Sequence, residues 1–218
     1  MVVPARNEEA RIEACLVSIR CAAERVAVPV TVTVVLDDCT DRTAARIPPG
    51  VRAVPVRHRN AGAARRAGFL GVPRTPGTWC ATTDADSLVP ATWFEGMAES
   101  AWAGHHVRAG TVVVTDWSGR EPGLGERHGA GYRHQLGHRH IHGANLALSA
   151  AAYHAVGGFR PLVEHEDVDL VTRCLADGWT VDWSASTPVA TSARRDNRVL
   201  GGFGGHLSRL EEELTSDR

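Results

Sequence analysis

The chain has 218 residues, 43% of them hydrophobic and 22% charged, with a formal net charge of −1. That composition excludes a disordered chain and suits one large α/β domain or two small ones with a sizeable core. The neutral balance removes a global basic field for nucleic acid or a membrane surface, and the sequence holds no lysine, which excludes lysine Schiff-base chemistry and a P-loop lysine.

Taken in chain order, Val2-Val3 reads as the end of a strand, either short or continuing from upstream. Asn7 is placed to cap a helix that starts with Glu8 and Glu9 and runs to about residue 26, with Ile12, Leu16 and Ile19 on its apolar stripe. A β-branched strand follows from Val30 to Leu36 and stops at Asp37-Asp38. Thr40 to Ile47 predicts a short helix. VRAVPVR (51–57) predicts an edge or bulged strand because of Pro55. Ala61 to Leu70 predicts a helix, and Thr78 to Thr83 a strand that ends in Asp84-Ala85-Asp86.

Pro90 then opens a helix to about Ala103, and Val107 to Thr115 predicts a strand. Residues 117–140, rich in Gly, His and Arg and without period, predict a long functional loop, expected to close over a ligand. HGANLALSAAAYHAVGGF predicts a strand, a helix and a Gly-Gly turn. Glu166 to Ala176 predicts a helix, and 179–183 and 188–191 two short strands. The tail from Gly205 carries Leu207, Leu210 and Leu214 at helical spacing, a stripe that fits a homodimer contact or another subunit.

Five cysteines (Cys15, Cys21, Cys39, Cys80 and Cys174) never form C-x-x-C, so free thiols in a reducing cytoplasmic setting are expected. The most apolar run, VAVPVTVTVVL (26–36), is too short to span a membrane and contains Pro29. MVVPARNEE lacks the pattern of a signal peptide.

Alternating strands and helices imply a mostly parallel sheet, whose ligands bind beyond the carboxyl ends of the strands. Three strand ends are polar there: Arg6 to Glu8, Asp37-Asp38, and Asp84 with Asp86. Two carboxylates one residue apart repel each other and call for a positive partner. A solvated turn is one reading. The other is Mg²⁺ or Mn²⁺, which prefers carboxylate oxygen and is commonly shared with substrate phosphates. His138, His140 and His142 alternate, so an extended chain puts them on one face; a zinc site is the sharper reading and a polar loop the plainer one.

VVPARNEEARIEACLVSI, VVLDDCTDRTA, NAGAARRAGF, TTDADS, GANLALSAAAYHAVGGF, EHEDVDLVTRCLADGW and ATSARRDNRVLGGF occur in the order found in family-2-type glycosyltransferases of the GT-A fold. The sequence resembles that family from Val2 to about Phe203. The resemblance implies a single GT-A domain over residues 1–218. Its nucleotide-binding half would cover about 1–90, its acceptor half about 91–204, and a tail helix about 205–218. It also implies Mn²⁺ or Mg²⁺, a nucleotide diphosphate sugar donor and a hydroxyl-bearing acceptor.

By the same resemblance, Pro4, Arg6 and Glu8 match the first nucleotide-binding loop, and Asp37 or Asp38 the acid that reads the base or ribose. DDCTD departs from the commoner DDGSTD, which leaves the choice between these two open. Arg65 would meet a phosphate or brace the D-x-D loop. Asp84 and Ala85 would lie at the nucleotide sugar, and Asp86 and Asp84 would hold the metal, with His206 as a further ligand. Glu166-Asp167 matches the family's E-D motif, with Asp167 as general base in an inverting transfer. Gly143 and Asn145 match its G-x-N, where donor sugar and acceptor meet. Arg194, Arg195 and Arg198 either close over the pyrophosphate or are surface charges. The rival functions are a nucleotidyltransferase, which usually needs a Gly-rich basic phosphate loop where this chain has PARNEE, and a non-catalytic nucleotide-sugar binder acting as an assembly partner.

Overall fold

The structure is a computed structural model, and it describes residues 1–195 and 202–216. Seven strands form one sheet: β1 (Val2–Ala5), β2 (Thr33–Asp37), β3 (Arg52–Val56), β4 (Trp79–Thr82), β5 (Val107–Val114), β6 (Leu146–Ser149) and β7 (Val181–Thr191). Their order across the sheet is β3-β2-β1-β4-β6-β5-β7. β6 is antiparallel to both its neighbours, β4 and β5, and the other pairings are parallel. The helices are α1 (Ile12–Ala23), α2 (Ala61–Gly68), α3 (Trp93–Trp102), α4 (Leu124–Gly131), α5 (Ala150–Ala155), α6 (Glu166–Ala176) and α7 (Phe203–Ser216).

Period-two alternation along the strands makes two cores. Val3, Val34, Leu36 and Ala81 face α1 and α3, where Ile12, Leu16, Ile19, Trp93 and Met97 are buried. Val2, Val35, Cys80 and Leu148 face the other way, against Ala64 of α2, Phe69 just after it, and Leu170 and Val171 of α6. Each fully buried large aliphatic contributes roughly 1.5–3 kcal/mol to this three-layer packing. A side chain at Gly68 would meet Val2 at 2.5 Å, so glycine there sets how closely α2 lies on the sheet.

Several elements differ from the sequence expectation. α1 begins at Ile12, not Glu8, and Asn7 caps nothing in it. Asn7 instead takes φ 53° and accepts from Thr40 N at 2.8 Å, tying the loop after β1 to the loop after β2. Thr43–Arg46 is a single 3-10 turn. The two short strands expected near the C-terminus are one strand, β7, whose pairing with β5 shifts register between Gly110 and Val112. The expected loop 117–140 contains α4, which packs on α7.

Leu207 of α7 is fully buried and Leu214 approaches Gly123 at the start of α4, so these two tail leucines pack within this chain. The five cysteines are thiols and form no disulfide. Among the described residues no helix is long and apolar enough to cross a membrane.

Candidate active site

A cavity of about 670 Å³ opens beyond the carboxyl ends of β1, β2 and β4. It is closed on the far side by the start of α6, by α4 and by the start of α7. Pro4, Arg6, Glu8, Asp37, Arg65, Asp84, Ala85, Asp86, Gly143, Glu166, Asp167 and His206 all line it. Asn145 and Asp38 are not among the lining residues. Among the described residues four non-glycine positions have positive φ, and all lie in loops around this mouth or at its rim: Asn7, Asp38, Arg59 and His165. Backbone strain of this kind persists where the surroundings over-determine it, commonly at functional sites.

Asp37 is buried at the end of β2 and uses its carboxylate on backbone. It accepts from His58 N at 2.6 Å, Arg59 N at 2.8 Å and Asn60 N at 2.9 Å. These bonds hold the loop that leads into α2, whose N-terminus Asn60 caps by accepting from Ala63 N at 2.8 Å. Asp38 turns outward to Arg59, whose guanidinium holds that carboxyl below its usual range. Of the two candidates for reading the nucleoside, Asp37 is the one at the cavity.

α2 delivers Arg65, only 3% exposed, to the cavity floor. Its guanidinium donates to Asp84 Oδ1 at 2.6 Å, to Glu166 Oε1 and to Thr82 Oγ1 at 3.2 Å, and lies over the Phe159 ring. A Cβ at Gly143 would fall 2.4 Å from this guanidinium, and one at Gly62 would fall 2.2 Å from Arg160 O. Those two glycines are close-approach positions: they let α2, α6 and the turn before β6 converge.

The other aspartate of the pair, Asp86, is served by a different arginine. Arg194 Nε lies 3.2 Å from Asp86 Oδ2, and the same guanidinium makes two bonds to Glu8, at 2.8 and 2.7 Å. Burial pushes the Asp86 carboxyl up to about 6 even though Arg194 pulls it down. Arg195 turns away from the cavity to Glu211 and Gly119 O, and Arg198 lies outside the described residues. The positive charge that the D-x-D sequence calls for is therefore present in the protein itself, as one arginine per aspartate.

Asp167, at the first turn of α6, accepts from Gly143 N at 2.6 Å through Oδ2 and from Val168 N at 2.8 Å through Oδ1. Burial first and the neighbouring Glu166 second raise its pKa, against the pull of Arg65. A raised carboxylate beside a cavity is a stronger proton acceptor near neutral pH. Asp169, also in the first turn, pairs with Arg173 at 2.8 Å and belongs to the helix surface.

Asn145 departs from its expected place at the sugar. Its amide donates to Thr111 O at 2.8 Å and Thr187 O at 2.9 Å, and its oxygen accepts from Trp93 Nε1 at 2.8 Å. It is a buried clamp between β5, β7 and α3, and Gly110 leaves room for it.

His206 lines the cavity from the first turn of α7. The packing of α7 on α4 sets its ring 5.9 Å from that of His128, and among the described residues no three His, Cys, Asp or Glu side chains gather as a metal-holding group. The same holds for a zinc trio. His138, His140 and His142 do stack in a row (5.5 and 6.0 Å between centroids), but as a wall with Tyr132, 4.1 Å from His140. Tyr132 accepts from Val112 N at 3.0 Å and shares a hydrogen bond with His142 Nε2 at 2.9 Å, while desolvation lowers the pKa of that half-buried imidazole. Sequence reasoning missed Tyr132 and His128 as cavity residues, because they sit in a segment without period.

Residues 1–164 match the model of the family described as Glycosyl transferase family 2. A search of curated proteins gave no match. Among solved structures, that of S. aureus TarS 1-349 in complex with UDP-GlcNAc superposes with a TM-score of 0.69 at 12% identity, over 98% of this chain and 70% of that one. The mannosyltransferase PcManGT from Pyrobaculum calidifontis, in complex with GDP-Man and Mn²⁺, superposes with a TM-score of 0.66 at 19% identity, over 90% of this chain and 57% of that one. At these identities the likeness shows the GT-A fold.

Proposed function

Because the chain belongs to glycosyl transferase family 2, we propose that it moves a sugar from a UDP- or GDP-type nucleotide sugar to a hydroxyl acceptor. The transfer is inverting and uses Mn²⁺ or Mg²⁺. The observation that carries this reading is the placement of Asp167 and Asp84-Ala85-Asp86 on one cavity, with Arg65 bonded to both Asp84 and Glu166 between them. That arrangement supplies a base, a diphosphate end and a fixed spacing between the two.

Asp86 and Asp84 fit a divalent cation by donor chemistry: they are hard oxygen ligands, and a diphosphate completes such a set. When bound, the cation supplies charge neutralisation at the diphosphate as it leaves. Pro4, Arg6 and Asp37 wall the end where the nucleoside lies. Asp167 takes the proton of the acceptor hydroxyl as its oxygen bonds to the anomeric carbon and the bond from that carbon to the diphosphate oxygen breaks. The Gly143 and Val168 amides hold Asp167 in place meanwhile.

The test is product analysis with UDP- and GDP-sugars, Mn²⁺ and a panel of sugar alcohols as acceptors. Release of nucleoside diphosphate is expected. Asp167→Asn should lower kcat by roughly 10²–10⁴-fold while leaving nucleotide affinity within about twofold. Release of pyrophosphate, or unchanged turnover in the variant, contradicts the reading.

A further inference from the structure

Arg194 has a contact pattern that the transfer reaction alone does not require. Its guanidinium is bidentate on Glu8, a residue 186 positions away, and monodentate on Asp86, with all three side chains largely out of solvent. It joins the loop after β1 to the loop after β4 at the point where the proposed cation would sit. The backbone that carries it is fixed from behind. Arg120, 1% exposed in its side chain, donates to Ala193 O at 2.5 Å and Arg194 O at 2.7 Å, and pairs with Glu211 of α7 at 2.9 Å. Arg195 reaches the same Glu211 at 2.8 Å. The segment after β7 is thus a strap bolted to α7 that extends one arginine into the cavity.

A guanidinium shared by two buried carboxylates occupies the electrostatic position of a divalent cation. We propose that Arg194 is a built-in counterion for Glu8 and Asp86 that keeps free divalent cation out of this site until a diphosphate arrives. The inference rests on the proposed function's reading of Asp86 as a cation-contacting acid. The diphosphate brings the negative charge that gives Arg194 an alternative partner, so cation and nucleotide enter together. Arg194 is in this sense a positioning residue: it sets the order and the cation requirement of donor binding, and it protects two carboxylates that would otherwise be buried uncompensated.

The test measures Mn²⁺ alone, without nucleotide, by electron paramagnetic resonance titration of the full chain. Wild type should bind it weakly. Arg194→Gln should bind at least tenfold more tightly, and the gain should vanish in Arg194→Gln with Asp86→Asn. Arg194→Lys, which keeps the charge, should stay near wild type and controls for loss of fold, as do melting curves recorded without metal. Equal Mn²⁺ affinity in wild type and Arg194→Gln, or a gain that survives Asp86→Asn, overturns the inference. Binding of UDP or GDP with Mn²⁺ to the wild type is a separate arm. If it persists while the Mn²⁺-only arms show no difference, the counterion role fails and the donor site stands.

Discussion

Two arginine clusters flank Ala85, and they are built alike but held differently. On one side Arg65 bridges Asp84 and Glu166; on the other Arg194 bridges Asp86 and Glu8. Arg65 comes from the body of a helix pressed on the sheet and lies against Phe159, with Gly143 giving it room. Arg194 comes from a strap after the last strand and is more exposed, 16% against 4% in the side chain. The same charge chemistry serves as frame in one place and as an exchangeable partner in the other. What separates them is how deeply the guanidinium is buried and whether a ring packs on it.

Substituting the frame arginine breaks this comparison most sharply. Arg65→Gln leaves Glu166 buried and uncompensated beside Asp84, and should cost about 3–5 kcal/mol of unfolding free energy in a urea titration. Mn²⁺ should not restore it, whereas the melting temperature lost in Arg194→Gln should rise again with millimolar Mn²⁺. Restoration of both variants by the ion would mean that the two clusters are equivalent.

A smaller effect concerns pH. His142 packs 5.8 Å from Phe203, the first residue of α7, on the side of the cavity that anchors the strap. Burial pushes its imidazole down to about 3 from the ordinary 6.5. The folded state therefore declines a proton that the unfolded chain accepts. The stability this group contributes is complete above pH ~6.5 and falls by about 1.4 kcal/mol per unit as the pH drops toward ~3. Between pH 6.5 and 5 the loss should be about 2 kcal/mol, read by urea unfolding at the two values, and His142→Gln should remove most of it. An identical drop in the variant would place the acid sensitivity elsewhere.

The fold was legible where periodicity was strong. β2, β4, α2 and α6 lie close to the positions that alternation and helical spacing give them, and the D-x-D and E-D acids meet on one cavity. What escaped was set by tertiary structure. LGERHGAG forms α4 without an apolar stripe because its neighbours decide it: Trp117 lies against Gly125, and α7 packs alongside. Asn7 looks like a helix cap, but its side chain is more useful bonding Thr40 across two loops. Asn145 looks like a sugar ligand, yet Trp93, Thr111 and Thr187 consume its polar atoms. The Arg194–Glu8 pair spans 186 positions and leaves no local trace. An aspartate pair in a sequence shows that positive charge is needed there, but not which element supplies it.

The claim that donor diphosphate binds at Asp84-Ala85-Asp86 is tested most directly by calorimetric titration of UDP and GDP, each with Mn²⁺, into wild type and Asp86→Ala. Wild type is predicted to bind at least one of them, with affinity lost by a hundredfold or more in the variant, about 2.7 kcal/mol. Equal affinity in the two proteins would contradict the account.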